Sequence, residues 1–234
     1  MRIVMWSGPR NLSTAMMYSF AARGDCAVWD EPFYAPYLKM TGLAHPMADA
    51  IIAAHEDDAE KVAAAITGPI PGGKPHFYMK HMPHHMVEGV PMGWTEDCVH
   101  VHLIRHPARV IASYVAKRED PTLEDIGFAQ QQSLFERLGG VVIDSHDIRA
   151  NPGAMLKALC SEIEIAWTPN MLNWSVGGLP EDGVWAAHWY GAVQKSTGFA
   201  GVEGDLPELS AQNQHLCDAA LPAYQAMQAQ ALRV

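Results

Sequence analysis

The sequence has few cysteines, few basic residues and no long apolar run. Its four cysteines are spread over 234 residues without a C-x-x-C pair, which argues against a zinc ribbon or a disulfide framework and predicts reduced, buried thiols. Only 16 Lys and Arg stand against 26 Asp and Glu, and the net charge of −10 argues against general affinity for nucleic acid or anionic membrane. No run approaches the roughly 18 apolar residues of a membrane span, and no signal peptide is recognisable, so we expect a soluble, cytoplasmic protein.

Short apolar segments alternate with longer segments of helical spacing. The predicted strands are residues 3–6, 26–29, 77–79, 98–104 and 141–143, and the predicted helices are residues 12–22, 47–55, 57–66, 107–117, 123–138 and 152–162. This alternation is typical of βαβ units. We therefore predict an α/β fold of three layers (α/β/α) around a central parallel sheet, in one domain spanning residues 1–234. Beyond residue 165 the periodicity weakens, which predicts irregular loops and helices that cover a ligand site.

The segment from residue 2 to residue 17 predicts an anion-binding turn. An apolar strand leads through Gly-Pro into a helix whose first turn carries Ser13 and Thr14. Exposed backbone N–H groups, the helix dipole and the cation of Arg10 together suit a phosphate or sulfate. The second glycine and the lysine of a Walker A sequence are missing, which weighs against ordinary ATPase chemistry. The alternative is a plain strand-to-helix turn capped by Asn11 or Ser13.

Polar side chains follow each of the five predicted strands. They are Arg10 after the first, Asp30 and Glu31 after the second, Lys80, His81, His84 and His85 after the third, Arg105 and His106 after the fourth, and Asp144 to Asp147 after the fifth. The carboxyl ends of parallel strands meet at one edge of a sheet, where ligands bind. Helix capping explains any single turn, but the coincidence across five turns predicts a site at this edge.

A second anion site is predicted after the fourth strand. Arg105 lies at the strand tip, Pro107 fits the first helical position, and Ser113 follows two turns into the helix. Arg109 lies four residues before Ser113 on the same helical face. Arg105 and Ser113 can therefore share an anion. The alternative is a surface ion pair from Arg105 beside a solvent-exposed serine.

These two segments resemble those of the PAPS-dependent sulfotransferases, in particular a bacterial sulfotransferase-like subgroup. S-G-P-R-N-L-S-T at residues 7–14 is similar to the loop that binds the 5′-phosphosulfate, and Arg105 with Ser113 is similar to the 3′-phosphate motif. The likeness covers roughly residues 1–172 and implies the P-loop-like sulfotransferase topology. It departs from the family at Asn11-Leu12, where many members carry Ser-Gly, so the loop must be shaped differently.

The resemblance implies PAPS (3′-phosphoadenosine 5′-phosphosulfate) as co-substrate and PAP, which lacks the sulfuryl group, as product. The residues that it assigns to nucleotide binding are Gly8, Pro9, Arg10, Asn11, Leu12, Ser13, Thr14, Arg105 and Ser113, with Lys195 or Thr197 from a loop that closes over the nucleotide.

For the chemistry, the resemblance implies Glu31 or His81 as the base, with Arg10 and Lys80 stabilising charge. Glu31 is favoured. The structural alternatives are that Glu31 caps a helix opening at Pro32 and that His81 packs in the core. Histidines near residue 80 raise the idea of zinc, but their spacing matches no zinc pattern, and we predict no metal.

The predicted function is sulfuryl transfer from PAPS to a hydroxyl or amine of a small-molecule acceptor. Two alternatives stay open from the sequence: a protein that binds PAP without transfer chemistry, and a P-loop kinase or NTPase. Neither nucleic acid nor membrane is an expected partner.

Overall fold

Residues 1–116 and 120–234 are described by a computed structural model, in which five parallel strands form one sheet. The strands are β1 (Arg2–Ser7), β2 (Cys26–Asp30), β3 (His76–His81), β4 (Cys98–Ile104) and β5 (Val141–Asp144). Their order across the sheet is β2-β3-β1-β4-β5. The predicted strands and their parallel pairing are confirmed, and four of the five extend beyond the predicted ends.

Helices connect the strands and follow the last one. They are α1 (Ser13–Ala21), α2 (Tyr34–Thr41), α3 (Ala48–Ala54), α4 (Ala59–Thr67), α5 (Pro107–Val115), α6 (Leu123–Ile126), α7 (Phe128–Leu138), α8 (Ser145–Ala150), α9 (Pro152–Glu162), α10 (Ala186–Trp189) and α11 (Ala211–Gln228). Short 3₁₀ turns cover Pro71–Gly73, Pro83–His85, Gly93–Thr95, Pro169–Leu172 and Val193–Lys195.

The two faces of the sheet carry separate cores. Along β1, Ile3 and Met5 pack with α1 and α9 on one face. Val4 and Trp6 pack on the other face with residues of α4 and α7. Successive side chains of a strand point to opposite faces, so a strand that is apolar throughout must be covered on both sides. The three-layer α/β/α prediction is therefore confirmed.

One predicted helix is divided in two, and α1, α3 and α4 differ from the predicted helices by one or two residues at each end. The predicted helix over residues 123–138 is wrong as a single element, because α6 and α7 are separated at Gly127, whose φ of 69° lies in the left-handed region. The predicted end of the helix at Lys117 lies outside the described residues, which resume at residue 120.

Four helices were not predicted: α2, α8, α10 and α11. The last of these lies in the region where we expected mostly irregular structure, and it carries Pro222 in its interior. It is held by tertiary contacts, since Cys217 and Ala220 pack in a core with α5 and the Tyr224 hydroxyl donates to Asp144 Oδ2 at 2.7 Å. The assignment of residues 1–234 to one domain stays a prediction.

All four cysteines are free, with Cys26, Cys160 and Cys217 buried and Cys98 half-buried. Across the described part of the chain, no helix combines the length and the apolarity needed to cross a membrane.

Candidate active site

A cavity of about 280 Å³ opens at the carboxyl edge of the sheet. Its walls come from the loop after β1, the ends of β2 and β3, helix α5 and the segment around α10. The lining residues on the polar side are Pro9 to Ala15, Glu31, Lys80, Arg105 and Ser113. The edge predicted from the sequence therefore does carry a cavity.

The loop after β1 has an unusual backbone. Arg10 and Leu12 have φ values of 58° and 42°, which non-glycine residues seldom adopt. The Asn11 side chain fixes the loop between them, because its Nδ2 donates to the Leu103 carbonyl at 2.7 Å. Such strain persists only where surrounding contacts enforce it, and it concentrates at functional sites.

Gly8 lies outside the cavity lining and packs against residues of α6 and α7. Its N–H donates to Gln131 Oε1 at 3.3 Å, and a Cβ at this position would lie 2.8 Å from the Ile126 carbonyl oxygen. The glycine thus allows the loop to pack directly against the end of α6. Its predicted contact with the nucleotide stays a prediction.

The first turn of α1 lines the cavity through Ser13 and Thr14. Leu12 is the N-cap residue, and α1 receives no hydrogen bond from a capping side chain. The first N–H groups of a helix have no partner within the helix. They remain available to an anion in the cavity.

Arg10, Arg105 and Ser113 meet at this wall, as predicted. Arg10 Nε donates to Ser113 Oγ at 3.0 Å, and Arg105 Nη1 donates to the Arg10 carbonyl at 2.7 Å. Burial lowers the pKa of Arg10 and the positive charge of Arg105 lowers it further, but a guanidinium stays charged in proteins. Two neighbouring cations beside a hydroxyl form a site for a phosphate.

A buried ion cluster forms the floor of the cavity. Lys80 Nζ lies 3.0 Å from Asp30 Oδ1, 2.5 Å from Glu31 Oε1 and 2.5 Å from the Tyr190 hydroxyl. Tyr190 in turn donates to Asp30 Oδ2 at 2.7 Å. Asp30 and Lys80 are register partners on β2 and β3, so sheet pairing itself brings them together.

The charges of this cluster do not balance, since two carboxylates surround one ammonium. Burial raises the pKa of Glu31, and the charge of Asp30 adds to this although Lys80 opposes it. Burial alone lowers the pKa of Lys80, but the two carboxylates outweigh it and the net shift is upward. Glu31 also has a φ of 42°. A carboxylate of raised pKa beside a fixed cation is suited to accept a proton.

Comparison with known proteins identifies the family. A family model described as a sulfotransferase domain matches residues 1–231. The chain belongs to the sulfotransferase-domain family. The sulfotransferase domain from the Synechococcus PCC 7002 olefin synthase has a similar fold, with a TM-score of 0.54 and 16% identity over 94% of each chain. That from the curacin biosynthetic pathway has a TM-score of 0.49 and 15% identity, over 93% of this chain and 96% of that one.

Two Arabidopsis thaliana proteins are also similar to this sulfotransferase domain. They are named branched-chain-amino-acid aminotransferase-like proteins 2 and 1, with 35% and 36% identity over 94% of this chain. The chain spans 40% of the length of each of them. The similarity therefore concerns a part of those proteins.

The structure does not bring His81 to the cavity of the sulfotransferase domain. Its ring packs in the core, 4.9 Å from the Trp94 ring and 5.2 Å from that of Trp6, and burial lowers its pKa to about 3. The reason is the alternation along β3, because Lys80 and His81 are consecutive and point to opposite faces. His81 therefore packs in the core, which is the structural alternative to its role as the base.

The cavity wall formed by the start of α2 and the residues after β3 is aromatic. His85 stacks between the rings of Tyr34 and Tyr37, with 4.7 Å between ring centroids on each side. Burial lowers the pKa of His84 to about 4 and that of His85 well below its usual value, so both imidazoles are neutral at pH 7. Within residues 1–116 and 120–234, no three His, Cys, Asp or Glu side chains come together as a metal site requires.

The segment after residue 185 reaches the cavity through other residues than those predicted. Trp189, Tyr190 and Val193 line it, whereas Lys195 and Thr197 are exposed and lie outside the lining. The Arg10 guanidinium lies 6.0 Å from the Trp189 ring centroid, and the neighbouring Tyr190 belongs to the ion cluster.

The sequence placed Asp30 at the site edge without a role, and it did not point to Tyr190 or Glu203. Asp30 carries a signal, because its position at the end of a strand beside Glu31 suggests a partner on the next strand. Tyr190 and Glu203 lie in segments without a motif, and Glu203 pairs with Arg105 at 2.5 Å between Oε1 and Nη2.

Proposed function

We propose that this sulfotransferase domain transfers a sulfuryl group from PAPS to a hydroxyl or amine of a small-molecule acceptor. The loop after β1, residues 8–12, is here named the anion loop. One observation carries the proposal: a single cavity is lined by the anion loop with Arg10, by Arg105 and Ser113, and by Glu31 and Lys80. A cradle for two phosphates and a buried base are the parts that such a transfer needs.

The residues present fit the two phosphate ends of the donor. The uncapped first turn of α1 and the Arg10 cation suit the 5′-phosphosulfate. Arg105 and Ser113 lie beside them and suit the 3′-phosphate, because a guanidinium and a hydroxyl both donate to phosphate oxygens.

In the proposed reaction, Glu31 accepts the proton of the acceptor hydroxyl or amine. As the new bond from the acceptor atom to sulfur forms, the bond from sulfur to the donor's 5′-phosphate oxygen breaks and PAP leaves. Lys80 and Arg10 stabilise the negative charge that develops on that oxygen. Asp30 and Tyr190 hold the Lys80 ammonium in place through the contacts described above.

The aromatic wall supports an aromatic acceptor without charge. Tyr34 and His85 offer rings there, and the imidazoles of His84 and His85 are neutral. We therefore expect phenols and other aromatic alcohols or amines to be better acceptors than anionic compounds, because a buried charge without a partner is costly.

The test is calorimetric titration with PAP, 5′-AMP and magnesium-ATP. We expect PAP to bind about tenfold to hundredfold more tightly than 5′-AMP, since a charge-assisted hydrogen bond contributes about 1.5 to 3 kcal/mol. Arg105→Ala should remove this preference, whereas Arg137→Ala, at an exposed arginine on α7, should keep it.

Equal affinity for PAP and 5′-AMP, both in the wild type and when Glu203 is replaced by glutamine, would contradict the proposal, and a preference for magnesium-ATP would favour a kinase or NTPase. Tight PAP binding without transfer to any acceptor would favour the alternative of a binding protein.

A further inference from the structure

A buried carboxylate lies where three arginines converge. Glu203 Oε1 is 2.5 Å from Arg105 Nη2 and 2.7 Å from Arg149 Nη1, and its Oε2 is 3.2 Å from Arg109 Nε. The Glu203 side chain is 1% exposed. Nothing in the catalytic scheme above uses this carboxylate or the guanidinium groups of Arg109 and Arg149.

The segment that carries Glu203, residues 200–206, is here named the strap. Glu203 is its buried residue, whereas Val202 is 65% and Leu206 is 51% exposed. Three strap carbonyls accept from the same arginines: that of Gly201 from Arg149, and those of Gly204 and Asp205 from Arg109.

The backbone of the strap makes no hydrogen bond to other backbone groups in the part of the chain that the structure describes. The arginine cluster is therefore its principal anchor. Segments that have few buried apolar contacts and no backbone ladder open at low cost in free energy.

The positive charge of the arginine cluster favours replacement of the Glu203 carboxylate by another anion. Among the residues that the structure describes, three guanidinium groups surround one carboxylate, an excess of two positive charges. Burial alone raises the pKa of Glu203, but the arginines outweigh it and hold the pKa below the usual value, so the carboxylate is ionised at pH 7. A guanidinium fork binds carboxylate and phosphate with the same geometry, and a phosphate dianion offers more charge and three oxygens.

The cluster is continuous with the cavity. Arg105 lines the cavity and donates to the Arg10 carbonyl at 2.7 Å, and Arg10 donates to Ser113. The carboxylate of Glu203 thus binds the Arg105 guanidinium, which the proposed function assigns to the donor's 3′-phosphate.

We propose that Glu203 is an internal stand-in for the 3′-phosphate of the donor, that the nucleotide displaces it, and that Arg109 and Arg149 then join Arg105 in binding that phosphate. The inference rests on the proposed function for the identity of the donor. It makes Glu203 a specificity-determining residue, because a nucleotide without a 3′-phosphate leaves the strap in place.

The first test compares Glu203→Gln with Asp205→Asn by calorimetry. Both remove one negative charge from the strap, but the Asp205 side chain is exposed. We expect Glu203→Gln to bind PAP at least about tenfold more tightly than the wild type, and Asp205→Asn to match the wild type within about twofold. The affinity for 5′-AMP should stay within about twofold in both variants. Thermal melting verifies that each variant is folded.

The second test leaves Glu203 intact and follows the strap itself. Hydrogen exchange of residues 200–206 should speed up when PAP is added to the wild type and stay unchanged with 5′-AMP. Arg149→Ala should weaken PAP binding at least about tenfold without changing that of 5′-AMP. Slower exchange of the strap with PAP, or a Glu203→Gln variant that gains no affinity for PAP, would overturn the inference.

The two proposals fail in distinguishable ways. If neither the wild type nor Glu203→Gln prefers PAP to 5′-AMP, the proposed donor is wrong. If the wild type prefers PAP but Glu203→Gln shows the same preference and the strap stays protected, only the stand-in role is overturned. A preference that appears only in Glu203→Gln supports the stand-in role directly.

Discussion

At the scale of single residues, the buried cluster of Asp30, Glu31 and Lys80 decides whether the cavity has a base. Glu31 must be ionised to accept a proton, and the burial that raises its pKa also keeps water from competing. Asp30 has a second effect, because its hydrogen bonds hold Lys80 and Tyr190 in contact with each other. The negative charge of Asp30 thus contributes to the raised pKa of Glu31.

The pH dependence of catalysis tests this coupling. Because the raised pKa belongs to a base that acts in its ionised form, kcat/KM should fall as the pH drops through a value above the ordinary 4.5 of glutamate. Asp30→Asn removes a negative neighbour and should move this acidic limb to lower pH. The measurement is the rate of PAP release against pH. An acidic limb that stays in place, or moves upward, would contradict the assignment of Glu31 as the base.

At the scale of elements, the anion loop depends on its close approach to the end of α6. Gly8→Ala places a Cβ 2.8 Å from the Ile126 carbonyl oxygen, a backbone atom that cannot swing aside. We expect the free energy of unfolding to fall by about 1 to 3 kcal/mol, as for other overpacked sites. Urea unfolding measures this. Gly93→Ala is the matched control, because a Cβ there meets nothing within 4 Å. Equal stability of the two variants would show that the loop packs less tightly than described.

The strands and the loop after β1 could be predicted from the sequence, whereas several helices could not. A strand buried on both faces is a continuous apolar run, so β1 was recognisable without tertiary information. Helix α11 carries Pro222 and is held by contacts with α5 and β5 that no local pattern contains. The break between α6 and α7 depends on one left-handed glycine, Gly127, inside an otherwise helical pattern.

The site shows the same division. Arg10, Glu31, Lys80, Arg105 and Ser113 follow strand ends, so the topology of a parallel sheet was enough to bring them together. Tyr190 is 110 positions along the chain from Lys80, which it contacts, and Glu203 lies in a segment without periodicity. Such contacts arise from the folded chain and leave no local signal.

At the scale of the whole molecule, the site joins groups from the first strand to the strap near residue 203. A ligand bound there contacts the folded chain and not the unfolded one, so it stabilises the entire fold by mass action. At a PAP concentration of 100 times the dissociation constant, this amounts to about 2.7 kcal/mol, or about 5 to 11 °C in Tm for a chain of this size.

Thermal unfolding with PAP and with 5′-AMP at the same concentration tests this expectation. PAP should give the larger shift in Tm, because PAP contacts both the anion loop and the pair of Arg105 and Ser113. A shift with PAP no greater than that with 5′-AMP would contradict a site that extends over both.

The most direct measurement is the release of PAP from PAPS by the wild type and by Glu31→Gln, in the presence of a panel of aromatic alcohols and amines. PAP release does not depend on knowing the acceptor in advance, and an exposed-residue variant, Glu96→Gln, controls for the loss of a carboxylate. We predict acceptor-dependent PAP release in the wild type and in Glu96→Gln, and a rate about 10² to 10⁴ lower in Glu31→Gln with PAP affinity retained. Equal rates in all three proteins, or PAP binding without release by any of them, would contradict sulfuryl transfer with Glu31 as the base.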